Sequence, residues 1–592
     1  MSLDYAAPLE DMRFVLRTIA GLEHLSTLPG LEAAEPDLVD SVLEEAARLA
    51  RDVIAPTNRT GDRQGNRLEN GAVTTPDGFR EAYRQFAGGG WNGVPFPADH
   101  GGGGLPWAVA MATQEMITSA NMAFSLCPLL TQGAIEAISA HGTDEQKAVF
   151  LEKLVSGAWT GTMNLTEPQA GSDVGALRAR AVPAADGTWR ITGTKIFITW
   201  GEHDVAENII HLVLARTPGS PPGTKGISLF IVPKFLPDGA GAPGERNDLR
   251  CVSLEHKLGI HASPTCVMSY GDNGGAVGFL LGQENQGMRC MFTMMNNARL
   301  SVGLQGVAIA ERAYQQALSY AQERKQGRLI GQPATRDVPI VEQPAVRRIL
   351  MLMRSQIEAM RSLISLNAAA IDRARHEPDA EIRLQQQGLA ELLTPLSKAW
   401  CTDLGVEVAS LGVQVHGGMG FIEDTGAAQH LRDSRIAPIY EGTNEIQAID
   451  LVLRKLTLGG GVAFDRLVED IAASAATLDG DLSRLGQNLS AAVASVTEAA
   501  QRLRALLARD PNTATAGAAP FLRMLAVTVG GWLLARQALA ARDRQSLGEK
   551  SAFLAAKPAT ASFFGDHVLA TVAGLLPSVL AAGDNLAVID VT

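Results

Sequence analysis

Trp189-Arg190-Ile191-Thr192-Gly193-Thr194-Lys195-Ile196-Phe197-Ile198-Thr199 alternates side chains with the period of two that marks a half-buried strand, and it reads as a hairpin. Ile209–Ala215 and Gly226–Pro233 follow as buried strands bounded by Pro and Gly. The helical period gives way to the strand period near residue 161 and returns near Met288. Residues 161–285 therefore form a small β domain between helical blocks. Helices, then strands, then helices make an α+β assembly rather than a βαβ sheet.

Outward from that insert, residues 36–160 read mainly as helices. The first apolar repeat begins at Asp37, runs to Ile54 and stops at Pro56. The glycine-rich stretch from Gly88 to Gly104 has no G-x-G-x-x-G and no Gly-Lys-Ser/Thr, so it reads as a plain loop. Residues 1–35 are a short helical extension closed by Leu28-Pro29-Gly30. Residues 286–458 contain long amphipathic runs, Arg299–Arg324, Val338–Arg373 and Glu381–Leu411, of lengths that suit an antiparallel bundle. Gly459-Gly460-Gly461 opens a last Ala/Leu-rich helical region, 459–592, punctuated at Pro511, Pro558 and Pro577.

The chain has 592 residues, Lys+Arg 51 against Asp+Glu 63, and a net charge of −12. That balance argues against a general binder of nucleic acid or of an anionic membrane. Any anionic ligand must then find a locally positive site or backbone N–H groups. The five cysteines are odd in number and show no C-x-x-C pair, which reads as a reduced protein with no metal site. The first residues lack the basic and apolar regions of a signal peptide, and Met524–Ala535 is too short to span a membrane. The expected location is the cytoplasm.

Four segments carry the chemistry: Met163-Asn164-Leu165-Thr166-Glu167-Pro168-Gln169-Ala170-Gly171-Ser172-Asp173, then Lys195–Thr199, then Gln414-Val415-His416-Gly417-Gly418-Met419-Gly420-Phe421, and last Ile439-Tyr440-Glu441-Gly442-Thr443-Asn444-Glu445-Ile446-Gln447. Singly, each has a plain structural reading. Thr-Glu-Pro can stop a helix, Gly417-Gly418 can end one, and Gly-Thr-Asn-Glu can be a cap followed by an acid. His416, Cys290 and Cys401 read as packing residues. Together and in this order, the four segments resemble the acyl-CoA dehydrogenase family of flavoproteins over residues 40–458. The flanks, with Lys257–Thr265 and Met294–Leu300, resemble the subgroup with an additional C-terminal helical domain. It includes 3-(methylthio)propanoyl-CoA dehydrogenases and some long-chain enzymes.

The resemblance implies FAD between the β domain and the bundle. Met163, Leu165 and Thr166 would face the flavin, and Gly171 and Ser172 the pyrophosphate and the CoA arm. Phe197, where the family more often has Trp, would stack on the ring system, with Thr199 nearby. Arg324, Gln326, Gln414, Gly417 and Gly418 would reach the cofactor of a neighbouring subunit, although Arg324-Lys325-Gln326-Gly327 lacks the family's commoner phenylalanine. Thr443 and Glu445 would complete the cofactor site. Glu441 would be the base that takes the α-proton. Some relatives carry that base on the helix of Arg299, but the neighbour there is Ala298. Ser172, Asn296, Arg299 and Gly442 would meet substrate. The implied reaction is oxidation of an acyl-CoA to its trans-2-enoyl form, with electrons leaving to an electron-transferring flavoprotein. The expected assembly is a homodimer whose extra domain covers the surface that family tetramers share. An oxidase passing electrons to O₂ and a DNA-associated, non-catalytic flavoprotein are the alternatives.

Overall fold

The computed structural model describes residues 5–239, 241–331 and 337–584. The chain divides into two compact units, one of Arg48–Leu105 and Ala120–Ala298, the other of Met1–Ala47, Pro106–Ser119 and Arg299–Thr592.

The first unit is built on a sheet whose strands are β1 (Trp159–Asn164), β2 (Arg180–Pro183), β3 (Trp189–Thr199), β4 (Asn208–Ala215), β5 (Ser228–Pro233), β6 (Leu249–Leu254), β7 (Thr265–Tyr270) and β8 (Ala276–Leu281). Their order is β6-β7-β3-β8-β5-β4-β1, with β2 also paired to β3. Only the β1–β4 pair is parallel, aligning Met163 with Leu212. Ile191, Val213, Phe230, Val232, Met268 and Tyr270 form the centre of its core. The eleven residues read as a hairpin are one continuous strand, β3. Gly193 bends it without reversing it, because a Cβ there would stand 2.9 Å from that of Ala179. The long strand can thus pair with β7 at its Thr199 end and with β2 and β8 at its Trp189 end. A small hairpin, Arg67–Glu69 with Ala72–Thr74, lies within the N-terminal helical stretch and was not expected there.

Pro56 does not stop the first helix. The helix Pro36–Leu49 widens into a π turn at Ala50–Ile54 and continues as Ala55–Gln64. The wider turn absorbs the donor that proline lacks.

The second unit is a helical assembly. Its main members are α1 (Gly287–Glu323, from Arg299 onward), α2 (Pro344–His376), α3 (Ala380–His416), α4 (Asn444–Asp450) and α5 (Ala518–Ser546). Proline opens α2, and Asp379 caps α3 by accepting from the backbone N–H of Glu381 and of Ile382. α1 crosses α3 at glycine: a Cβ on Gly306 would stand 2.0 Å from the Cys401 carbonyl oxygen. Only glycine permits this approach, and it draws Arg299 of α1 toward Lys398 of α3.

α5 packs on α2, α3 and α4. Pro558 and Pro577 lie inside the helices Ala552–His567 and Val572–Leu580 instead of ending them, and only Pro511 sits at a helix start. Burial of Leu554, Ala561, Phe564 and Val579 offsets the lost backbone bonds. α5 carries the Met524–Ala535 run well past Arg536. Met122–His141, Ala518–Ser546 and Ala552–Leu580 are, by length and composition, apolar enough to cross a membrane; 89%, 83% and 33% of their apolar windows are buried inside the protein.

Candidate active site

On the sheet unit, the loop after β1 is held by an ion pair. Lys195, wholly buried in β3, donates to Glu167 Oε1 at 2.8 Å and to the Leu165 carbonyl at 3.1 Å. Glu167 also accepts from the backbone N–H of Arg178 at 2.6 Å and of Ala179 at 3.0 Å. Burial pushes the Lys195 ammonium down to about 8, with Glu167 pulling the other way. Burial works to raise the Glu167 carboxyl as well, but Lys195 and the two N–H groups hold it below its usual range. The Ile196 N–H donates to the Thr166 carbonyl at 2.9 Å, so Leu165 and Thr166 are fixed to β3. The segment Lys195–Thr199 stood out in the sequence for Phe197 and Thr199; the pairing of Lys195 with Glu167 was not visible there.

Two residues later the backbone turns left-handed. Phe197 has φ 59° and is 58% exposed, so an aromatic ring is turned outward in a position that costs backbone strain. Trp200, also left-handed at φ 53°, anchors the end of the strand: it is buried, its backbone N–H donates to the Pro264 carbonyl at 2.7 Å, and its indole N–H to the Ala123 carbonyl at 3.2 Å. Met163 is buried and Thr199 half-buried. Gly171 and Ser172 are exposed, and a Cβ on Gly171 would meet nothing within 4 Å. Asn296 lies on an exposed face of α1.

On the helical unit, Glu441 has φ 56° and Gly442 φ 85°, two successive left-handed residues. Such a pair is stable only if its surroundings hold it. Thr443 caps α4 by accepting from the Ile446 N–H at 3.3 Å, and buried Gln447 reaches back to the Glu441 carbonyl at 3.2 Å. The hydroxyl of Tyr440 donates to Gln305 Oε1 of α1. Among the described residues the Glu441 carboxylate itself accepts no hydrogen bond. Burial pushes it up to about 7, against the opposing charges of Arg299 and Lys398. Arg299 is 7% exposed, and burial lowers its guanidinium while Asp450 and Glu441 raise it. Glu445 is exposed on α4. Lys398 and Asn444, linked at 2.7 Å, also stand in this group, and the sequence did not single them out. The one available signal was a lysine within an otherwise apolar stretch of α3.

A third group stands at the far end of the bundle. Arg324 Nη2 donates to Gln326 Oε1 at 3.2 Å, and both residues are exposed. Tyr320 stacks on buried His416 at 4.5 Å, which brings this end of α1 beside the turn of Gln414, Gly417 and Gly418. Gly417 has φ 60°, and a Cβ on it or on Gly418 would meet nothing within 4 Å. Sixteen residues of α3 separate Lys398 from Gln414, or about 24 Å of helix. These residues therefore do not join the Glu441 group within one chain.

The residues suit a flavin nucleotide. The sheet unit offers an outward aromatic ring beside pinned backbone groups, and the bundle offers bare glycine backbone beside an exposed arginine. Four family models match in chain order: the acyl-CoA dehydrogenase N-terminal domain over 39–158, its middle domain over 162–272, its C-terminal domain over 285–456, and an acetyl-CoA dehydrogenase C-terminal-like domain over 466–590. The chain belongs to the acyl-CoA dehydrogenase family. A 3-methylmercaptopropionyl-CoA dehydrogenase of Ruegeria pomeroyi is 50% identical over 99% of each chain. A broad-specificity linear acyl-CoA dehydrogenase of Mycobacterium tuberculosis is 34% identical over 95% of each. The solved acyl-CoA dehydrogenase of Bacillus anthracis complexed with FAD shares the fold, with a TM-score of 0.71 over 98% of this chain and 90% of that one, at 19% identity. This acyl-CoA dehydrogenase is thus an FAD-dependent oxidoreductase acting on the CH–CH group of an acyl-CoA.

Proposed function

We propose that Glu441 is the base that removes the α-proton of the acyl thioester. The observation that carries this reading is a carboxylate that accepts no hydrogen bond, held on two left-handed residues and pushed by burial up to about 7. A carboxylate so placed is a stronger base than an exposed one and stays available to a carbon acid. Gly442 beside it leaves the backbone open to the thioester oxygen, on which negative charge develops as the proton leaves. Bound FAD supplies the acceptor for the β-hydride, so the acyl-CoA becomes the trans-2-enoyl-CoA. On the sheet unit, Phe197 offers the stacking face, and the Lys195–Glu167 pair holds Leu165 and Thr166 against movement as the ring docks.

For the acyl group we infer a short chain bearing a thioether, 3-methylthiopropanoyl-CoA. Full-length identity of 50% to the Ruegeria enzyme supports this choice. Anaerobic bleaching of the flavin across methylthiopropanoyl-, butyryl-, octanoyl- and palmitoyl-CoA tests it, and a preference for palmitoyl-CoA would refute it. Reoxidation by an electron-transferring flavoprotein without peroxide release is the expected route for the electrons.

We also propose a homodimer in which Arg324, Gln326, Gln414, Gly417 and Gly418 serve the partner's cofactor. The distance along α3 supports it, as do the exposed Met419, Phe421 and Ile422 beside the glycine turn, at 50%, 86% and 47% exposure. Light scattering should give twice the chain mass for the wild type, and Phe421→Asp should give monomers with weakened FAD retention.

A further inference from the structure

Lys398 has a wholly buried side chain in the middle of α3. Burying an ammonium is costly unless hydrogen bonds or an opposite charge compensate it. Among the described residues its hydrogen bond is to one neutral group, Asn444 Oδ1, at 2.7 Å. Asn444 in turn spans two elements. Its side-chain N–H groups donate to the Ala399 carbonyl at 3.1 Å, Thr402 Oγ1 at 3.0 Å and Asp403 Oδ1 at 2.7 Å, all on α3, and its backbone N–H donates to the Pro438 carbonyl at 3.0 Å. Residues 438 and 444 bracket Glu441. A single residue therefore both closes the left-handed turn, through its backbone N–H, and ties it to α3, through its side-chain amide, and Lys398 holds that amide in its orientation.

We propose that Lys398 is a positioning residue for Glu441: through Asn444 it fixes the turn on α3, and its ammonium is the buried positive charge that faces the carboxylate from that helix. The proposal rests on the reading of Glu441 as the base. Two further observations favour it over simple packing. Burial pushes the Lys398 ammonium down to about 7, and Glu441 is the foremost charge that raises it. Leu, Ala or Met would otherwise satisfy this apolar stretch of helix with no desolvation cost.

The other groups around Glu441 are few. Arg299 faces it from α1, with Asp450 and Arg454 also acting on Arg299; Tyr440 lies beside it on the turn; Asp403 faces Lys398 on α3 and is itself next to the charges of Arg523 and Arg435. Removing the Lys398 charge leaves Arg299, among the described residues, as the cation acting on the carboxylate, so Glu441 should hold its proton to higher pH.

The test is the pH profile of kcat/KM for the wild-type holoenzyme and for Lys398→Met, with the carboxyl infrared band of Glu441 titrated in parallel; that band is identified by its loss in Glu441→Gln. The expected result is a shift of the acid limb and of the band midpoint to higher pH by about one unit or more. Lys398→Arg should restore both. A folded, FAD-loaded Lys398→Met enzyme with both midpoints unmoved overturns the proposal. If Lys398→Met does not fold, Asn444→Ala carries the test: it keeps the lysine but cuts the tie. It should lower kcat with KM held, and an unchanged kcat overturns the proposal equally. Full turnover by Glu441→Gln would instead sink the assignment of the base, a separate outcome.

Discussion

Two buried groups of charge in the helical unit show opposite solutions. Around Arg361 the donors are satisfied by acids: Nη1 donates to Asp11 at 2.5 Å, Nη2 to Glu115 at 2.6 Å and to Glu311 at 2.7 Å, and Nε to Glu115 at 3.0 Å. Lys557 joins the group by donating to Asp11 and, at 2.9 Å, to Glu358, which also accepts from Arg354 at 2.7 Å. The network ties helix Leu9–Val15 to α1, α2 and helix Ala552–His567. Around Glu441 two cations are equally buried, yet the carboxylate accepts no hydrogen bond from either. The first group is a tie that spends its charges on one another; the second leaves a carboxylate with no hydrogen bond, raised by burial to about 7, which is what the proposed base requires. Burial alone does not separate structure from chemistry here. The presence or absence of bonds at the carboxylate does.

That contrast can be broken at four points. The largest effect belongs to Glu441→Gln, which should lower kcat by about a thousandfold or more while leaving the yellow flavin bound, read by stopped-flow bleaching. Arg361→Met should strand two buried acids, Glu115 and Glu311, and cost about 3–5 kcal/mol in chemical denaturation, with the kcat of the folded fraction kept. Equal damage to kcat would show that the two groups are not separable. Gly442→Ala forces a Cβ onto φ 85°, 2.8 Å from Gln447 Nε2. It should cost about 1–2 kcal/mol and displace Glu441, reducing kcat about tenfold or more.

The smallest effects are those of pH. Burial raises the Asp11 carboxyl, but Lys557 and Arg361 outweigh it and hold it at about 2, below its ordinary 3.8. A depressed acid adds stability above its unfolded value and loses it as pH falls toward the folded one. Unfolding monitored between pH 4 and pH 2 should therefore show the amino-terminal helix releasing, and Asp11→Asn should flatten that dependence. At Glu441 the carboxyl is shifted up rather than down, so the window moves to higher pH: kcat/KM should rise with pH through about 7 as the raised carboxyl ionises.

Much of this was legible beforehand because local chemistry expressed it. The switch of period near residue 161 marked the sheet, and Gly442-Thr443-Asn444-Glu445 read as a helix cap followed by an acid, while Glu441 itself was picked out by the family resemblance. Other features failed to show for definable reasons. Trp189–Thr199 looked like a hairpin since Gly193 signals a turn locally, while its contact with Ala179 is made across the sheet. Pro56, Pro558 and Pro577 looked like helix ends since their cost is local and the compensation is not.

The order of residues by itself settled which side chains are available: one carboxylate beside a glycine, an aromatic residue closing a strand, and an arginine and two glycines along the bundle. Tertiary structure decided what state those groups are in. Lys398 and Asn444 lie 46 positions apart and meet only because α4 folds back on α3. The basicity of Glu441 comes from neighbours that withdraw water without offering a hydrogen bond. Desolvation is a property of a place in three dimensions, and no sequence pattern states it.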